Sequence, residues 1–388
     1  MCFFQAYFIS SLESEVVGAM FPITYKKSVS FLPSIAAILL LSGCSILPKS
    51  PISLESKTND ASSLYRGVFH VHTKYSHDSG GSLDEVLKAA HGQDLDFVVI
   101  TDHNSLAGKL DPVLQHPTAQ PLLIIGNEIS TTEGHLIALG TREEIKTPIE
   151  PQAAIDLIHE QGGFAVLAHP ICDRTNWKNW DVKNYDGIEV YNFACDFYAS
   201  NKPVFFLKSL LLPPGMFVKQ TVKEPRRALN QWDFLLSAKP VLAFGAADAH
   251  VHRIFGFPFM RYSLAFRPIT MYVEAASRSE GDILDALKSG KSFVVFESLG
   301  RVAQFSFLAQ SAGKNFKSGS VIRSESPVAL TATAPASSEI RLIHQGKIVR
   351  KARGGTLVFD AVKSGSYRVE VFRRGKIWII SNPITLGT

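Results

Sequence analysis

Histidine and carboxylate residues recur in this chain just after short apolar runs. His70 and His72 stand in Phe69-His70-Val71-His72-Thr73, with His77 and Asp78 close behind. Asp102 and His103 follow Phe97–Ile100, Glu128 follows Leu122–Gly126, His169 follows Ala165–Ala168, and Asp248 and His250 follow Val241–Gly245. His135 is the exception, since it begins an apolar run rather than ending one. Imidazole nitrogens and carboxylates gathered round one cavity suit Zn, Mn or Fe, whereas Mg and Ca prefer oxygen shells. A lone histidine at the end of a strand is an ordinary polar residue; the same residue types at five separate strand ends predict a metal site. His91, His116, His159 and His252 lie outside the pattern and read as surface or supporting residues. Glu189, in Ile188-Glu189-Val190-Tyr191, reads either as a support for a ligand or as an internal charge partner. Arg174 and Arg253 follow His169 and His250 closely, where a planar guanidinium would clamp a phosphate in bidentate fashion. Asp102 is placed to orient a ligand or to shuttle a proton.

Such residues need elements that bring them together. From Tyr65 to about Phe296, short apolar runs alternate with longer amphipathic stretches, the pattern of β/α units. Strands are expected at Gly67–Val71, Phe97–Ile100, Leu122–Gly126, Leu136–Leu139, Ala165–Ala168, Ile188–Tyr191 and Val241–Gly245. Helices are expected at Ser82–His91, Pro151–Gln161, Gln231–Ser237 and Gly281–Lys288. The first has a capping box, Ser82 and Glu85. A closed or nearly closed (β/α) barrel would carry the carboxyl ends of its strands to one rim. On a regular strand, side chains repeat direction every two residues, so His70 and His72 would face the same side, as would Asp248 and His250. Residues 196–230 break the rhythm and read as a lid, a substrate-binding insertion or a helix pair of no functional role.

After about Leu299 short alternating runs appear, at Ala303–Phe307, Val328–Thr333, Glu339–His344, Thr356–Phe359, Tyr367–Arg373 and Ile377–Ile380. They predict a small β-sandwich. Fourteen Lys and Arg residues lie between Arg301 and Lys376. They are spread along these strands, which argues against a nucleic-acid stripe. The chain has 388 residues, a formal charge of +5 and four cysteines with no CxxC pair, so neither a zinc knuckle nor a disulfide-dense scaffold is expected.

The amino-terminal segment has Lys26 and Lys27, then an apolar run from Phe31 to Leu41, then Ser42, Gly43 and Cys44. That run is too short to span a bilayer core of roughly 30 Å. It reads as a secretory signal, and Leu41-Ser42-Gly43-Cys44 resembles a lipobox. The expected organisation is a signal peptide at 1–43, a lipidated tether at 44–64, a barrel at 65–298 and a sandwich at 299–388. Met20 is a more natural start than Met1. The expected location is the bacterial cell envelope, with a lipid anchor at Cys44 on the periplasmic side or in the outer membrane. Ser45 is compatible with outer-membrane sorting.

The run His70-x-His72-Thr-x-x-Ser-x-Asp78, then Thr-Asp-His103-Asn, Glu128, Gly-His135, Ala-His169-Pro and Asp248-Ala-His250, resembles the polymerase-and-histidinol-phosphatase (PHP) superfamily. The resemblance covers about 230 residues with the motifs in the family's order. It implies a distorted (β/α)7 barrel of α/β class with a di- or trinuclear centre of divalent Mn, Zn or Fe. Carried over, it implies His70, His72 and Asp248 on one metal, Asp78, His103 and His250 on a second, and His135 and His169 on a third. Glu128 would bridge the first and third. Asp78 is the expected ligand, with His77 as the alternative beside it. The carboxy-terminal Tyr-Arg-Val-Glu-Val and Trp-Ile-Ile-Ser-Asn-Pro further resemble the carbaryl-hydrolase-like branch.

The function expected is hydrolysis of a small-molecule phosphate ester. Hydrolysis of a carbamate, amide or carboxyl ester is the alternative, and an envelope metal-binding lipoprotein is a non-enzymatic one. An apolar pocket lined by Phe205–Leu212 would favour an organic ester, and one rich in Arg and Lys would favour phosphate. A nucleic-acid polymerase partner is not expected, because the chain has neither a polymerase domain nor a basic stripe.

Overall fold

The computed structural model describes residues 62–115, 121–254, 257–258, 260–323 and 327–387. The expected signal peptide, Cys44 and nearly all of the tether lie outside the described residues, as does His116. Lys57–Thr388 forms one compact unit.

Eight strands build the site-bearing part: β1 (Ser63–Val71), β2 (Phe97–Ile100), β3 (Leu122–Ile125), β4 (Asn127–Ser130), β5 (His135–Leu139), β6 (Phe164–Leu167), β7 (Gly187–Asn192) and β8 (Leu242–Ala249). β2 and β6 are buried at every residue, as strands covered on both faces should be. β1, β2 and β3 run parallel, and so do β6, β7, β8 and the end of β1. Their carboxyl ends therefore lie together. β4 pairs antiparallel with β5, and β5 with β6.

Helices flank this sheet. α1 (Leu83–His91) starts at the capping box, with Ser82 and Glu85 exchanging hydrogen bonds, and buries Leu83, Val86, Ala89 and Ala90. α2 (Pro151–Glu160) precedes β6. Residues 193–236 form four helices, α3 (Phe193–Tyr198), α4 (Lys202–Leu211), α5 (Pro214–Thr221) and α6 (Arg226–Leu236). The expected insertion is thus helical, and α6 starts five residues before the helix expected there. A short strand pair, β9 (Arg253–Ile254) and β10 (Phe257–Pro258), then the one-turn α7 (Tyr262–Ala265), lead to β11 (Thr270–Ala275), α8 (Glu280–Lys288) and β12 (Ser292–Val295).

Against the expectation of a closed or nearly closed barrel, the sheet is not closed, because β3 and β4 do not pair. Gly126 divides the run expected as one strand, so that β3 pairs with β2 and β4 pairs with β5. An isolated bridge between His103 and Glu128 and hydrogen bonds between Asn104 and Ser130 cross that gap. A Cβ at Gly126 would meet Leu139 Cδ2 at 2.2 Å and the Ala138 carbonyl at 2.8 Å, so the bend needs glycine. On the other side, β11 runs antiparallel along the first half of β1 and carries the sheet outward through β12.

β12 in turn pairs with Lys376–Ser381, so the sheet continues into the carboxy-terminal region without a break. There the strand Gly365–Arg373 joins Glu339–His344, Lys376–Ser381 and Ile384–Gly387. A separate four-stranded sheet contains Ser306–Ser311, Lys314–Lys317, Val328–Thr333 and Thr356–Ala361. Leu330 and Ala332 from that sheet share a buried cluster with Leu342, Val369 and Val371 from the other. Apolar residues alternate along Val328–Thr333, the mark of a strand with one covered face.

Candidate metal centre

The site forms where the carboxyl ends of β1, β7 and β8 meet the loops after β2 and β6. His70 and His72 converge, their Nε2 atoms 2.9 Å apart, but not through a regular pleat. β1 slips register against both β2 and β8 just before Val71, and His70 has φ 68°. His169 (φ 33°) and Asp248 (φ 48°) are also left-handed. Such backbone costs about 1–3 kcal/mol per non-glycine residue and persists only where the surroundings over-determine it. The expected extended geometry at His70–His72 and Asp248–His250 is therefore interrupted by left-handed residues where β1 and β8 slip register.

Glu128 lies at the centre of the cluster, 1% exposed. Its Oε2 faces His70 and His72 at 3.0 Å each and His103 at 3.6 Å. Its Oε1 faces His135 at 2.8 Å and His169 at 2.9 Å. Asp248 Oδ1 lies 3.4 Å from both His70 and His72 Nε2. Asp78 Oδ2 lies 3.1 Å from His250 and 3.3 Å from His103. All nine expected ligand residues thus fall in one continuous cluster. Three overlapping groups have donor atoms within 4.8 Å of one another: His70, His72 and Asp248; His72, Asp78, His103 and His250; and His103, Glu128 and His135. Asp78 rather than His77 enters the cluster; the His77 ring lies against His103, with centroids 5.0 Å apart.

A surrounding shell fixes these groups. Glu189 Oε1 is 2.6 Å from His70 Nδ1, while Oε2 accepts from the His169 backbone N–H and from Asn192 Nδ2. Of its two expected readings, the structure places Glu189 as a support for His70. Asn192 also donates to Asp248 Oδ2 at 3.1 Å. The Ser76 hydroxyl lies 3.2 Å from His72 Nδ1, donates to Asp78 and accepts from the His103 N–H. Thr175 meets His169 Nδ1. Ser76 stood inside the quoted motif; Asn192 and Thr175 carried no sequence signal. A disulfide between Cys172 and Cys195, which the cysteine pattern did not reveal, ties the loop after His169 to α3.

The other three expected site residues sit differently. Both carboxylate oxygens of Asp102 accept from Thr73, one from its N–H and one from its hydroxyl, so Asp102 braces the turn beside His72. Arg253 donates to Glu85 Oε1 at 2.7 Å, joining the exposed start of α1 rather than the cluster. Arg174 lies over the Tyr198 ring, 4.6 Å from its centroid. Tyr198, Phe193, Phe197 and Met260 line a small cavity together with Asp248 and His250. The cavity wall is mostly aromatic and apolar.

Burial by itself would raise the Glu128 carboxyl, but the imidazoles of His103, His70 and His135 outweigh it and hold the group well below its ordinary range. Asp78 and Asp248 are likewise depressed against burial by the histidines facing them. Burial would depress His72, yet hydrogen bonds to Asp248 and Glu128 hold it at about 10. The same carboxylates favour positive charge on His70, His72 and His169, which are pushed upward against burial, whereas burial pushes His103 down. Divalent cations would supply that positive charge instead, because metal and proton compete for the same nitrogens. The fit is supported by the donor set and by His103 Nδ1, which is buried without a hydrogen-bond partner.

Residues 69–190 match the PHP domain family model. An uncharacterised protein of Methanocaldococcus jannaschii is 35% identical over 136 residues, which span 32% of this chain and 79% of that protein. The chain belongs to the PHP domain family. Among solved structures, a two-domain Bacteroides vulgatus protein containing a predicted PHP-like metal-dependent phosphoesterase has a TM-score of 0.41 at 16% identity. That match covers 84% of this chain and 96% of the other. An amidohydrolase from Chromobacterium violaceum with bound sulfate and no metal has a TM-score of 0.34 at 13% identity. It covers 47% of this chain and 87% of its own. In this PHP domain the match begins at Phe69, beside His70, and ends at Val190, beyond Glu189.

Proposed function

We propose that the protein is a metal-dependent phosphoesterase acting on a small organic phosphate ester. The observation that carries the reading is Glu128, whose two carboxylate oxygens face different histidines: Oε2 toward His70 and His72, Oε1 toward His135 and His169. That is the disposition of a carboxylate shared between adjacent cation sites. His70, His72 and Asp248 would hold one ion; Asp78, His103 and His250 a second; His135 and His169 a third. Divalent ions there would supply a hydroxide nucleophile near neutral pH and neutralise charge on the electrophile's oxygens. Glu189 and Asn192 would hold His70 and Asp248 in place, and Asp102 would keep the His72 turn in register through Thr73. Arg174, which lies over the Tyr198 ring, would contact a substrate phosphate.

A second reading is supported by the cavity wall. Phe193, Phe197, Tyr198 and Met260 would accept an organic group beside Asp248 and His250, which suits a carbamate, amide or carboxyl ester as well as a phosphate ester with an apolar substituent. It accords with the resemblance to the carbaryl-hydrolase-like branch. The proposed setting is the cell envelope, with a lipid at Cys44. The disulfide supports it, because such bonds persist mainly in oxidising compartments. Among the described residues, no helix is long and apolar enough to cross a membrane.

The test is hydrolysis of p-nitrophenyl phosphate mono- and diesters beside carboxyl and carbamate esters, with Mn or Zn and after chelation. Metal-dependent release from a phosphate, lost in His72→Ala, is expected. Turnover confined to carbamates or carboxyl esters would replace the first reading by the second, and no turnover in the metal-loaded protein would count against both.

A further inference from the structure

The pair α4–α5 has an unusual distribution of apolar residues. Its inner side is small: Phe205, Phe217 and Val218 are buried, with Phe197, Leu212, Val222, Met260 and Leu264 packed around them. Phe205 and Phe217 meet edge to face at 4.8 Å. Its outer side is as apolar as its inner one. Val204, Leu207, Leu210, Leu211 and Met216 are all about half exposed or more, reaching 70% at Leu211. These are five of the fourteen exposed large hydrophobic residues among the described residues, gathered within thirteen positions. Scattered single residues of this kind are ordinary, whereas a contiguous patch marks an interaction surface. Along α4, positions 204, 207 and 211 follow helical spacing, so they form one stripe.

The charges around this stripe choose the occupant. From Phe197 to Lys223 the chain has four lysines and no aspartate or glutamate. Lys202 turns inward, donating to the carbonyls of Phe197, Tyr198 and Ser200. Lys208, Lys219 and Lys223 are exposed. Apolar side chains rimmed by lysines are the composition of a helix that lies in the headgroup region of an anionic bilayer.

We propose that α4–α5 is a membrane-docking surface that seats the protein on anionic phospholipid. Leu207, Leu210, Leu211 and Met216 enter the interface while Lys208 and Lys219 meet lipid phosphates. Phe197 and Met260 belong both to the packing beneath this pair and to the wall of the cavity beside His250, so docking holds the cavity close to the bilayer. One part of the argument rests on the proposed lipid at Cys44. One chain of lipid gives weak, reversible attachment, and a basic apolar patch is the kind of second signal that makes it stable. Eighteen residues, 45 to 62, would separate that lipid from β1, a reach of at most about 60 Å.

The experiment is vesicle co-sedimentation of residues 57–388, the compact unit that holds all the described strands and helices. It needs neither metal nor substrate, so its result is separate from the assay of hydrolysis. The unanchored protein is expected to sediment with phosphatidylglycerol-containing vesicles and much less with pure phosphatidylcholine. Leu207→Ser, Leu210→Ser and Leu211→Ser together should reduce bound protein at least about tenfold. Lys208→Glu with Lys219→Glu should abolish the preference for anionic lipid, and Val362→Ser, at an exposed residue elsewhere, should change nothing. Absence of vesicle binding, or binding undiminished in the leucine variant, would overturn the proposal. So would a lipid-free dimer that the leucine variant dissolves, since a second copy would then be the occupant.

Discussion

Two of the clusters of charged side chains buried among the described residues are built on different principles. In the metal centre, three carboxylates face six imidazoles, two of whose nitrogens approach each other at 2.9 Å, and His103 Nδ1 lacks a partner. Beneath α6, the Arg368 guanidinium, 2% exposed, forks onto Asp233 at 2.6 and 2.7 Å and reaches Glu370 at 2.8 Å. Arg226 adds a second contact to Glu370 at 3.1 Å, and the Trp232 ring covers Arg368. The second cluster is complete: permanent cations meet carboxylates with good bidentate geometry. In the first, the cationic partners are titratable, and their lone pairs converge. A buried ion network that closes on itself joins α6 to the strand Gly365–Arg373. The open one leaves converging donor atoms without a permanent cation.

Removing one partner of the closed cluster should give the largest effect on folding. Arg368→Met leaves Asp233 without its cation and the buried Glu370 with Arg226 alone. The free energy of unfolding, read by chemical denaturation, is expected to fall by about 3–5 kcal/mol. Replacing Arg368, Asp233 and Glu370 together by apolar residues of similar volume should recover most of that loss. Failure to recover would mean that the cluster does more than pair charges.

The open cluster should respond in the opposite way. Glu128→Gln is expected to leave the metal-free protein folded by circular dichroism. Metal content should drop and turnover should fall more than about a hundredfold, beyond the range for supporting residues. An unfolded Glu128→Gln protein would erase the distinction between the two clusters. Glu189→Gln should act more gently through His70, weakening metal affinity roughly 10- to 100-fold in a competition titration. The smallest effect is expected at Arg253, which pairs with Glu85 where both side chains are over one-third exposed. Arg253→Ala should cost at most about 1 kcal/mol and leave turnover unchanged; a large loss of turnover would return Arg253 to the site.

The same division separates what the sequence determined from what only the tertiary structure decided. The strand runs at 97–100, 328–333 and 339–344, the capping box at Ser82 and Glu85, and the placing of ligand-type residues at strand ends were legible in the chain, because hydrophobic period and cap chemistry are local. The nine residues now found in one cluster were named by the resemblance to the PHP superfamily, whose motifs stand here in order; strand-end spacing alone does not choose Asp78 over His77 and does not reach His135. The open sheet was not legible. It depends on Gly126 bending against Leu139 and on β11 occupying the edge of β1, contacts between segments far apart in sequence. The left-handed backbone at His70, His169 and Asp248 was hidden for the same reason, as neighbours in space impose it. Arg253 and Asp102 took other partners, Glu85 and Thr73, because an arginine or aspartate beside a motif binds whatever the fold brings nearest. Asn192 and Cys195 leave no local signature at all. What they touch, Asp248 and Cys172, arrives only when separate loops are brought together by the packed core.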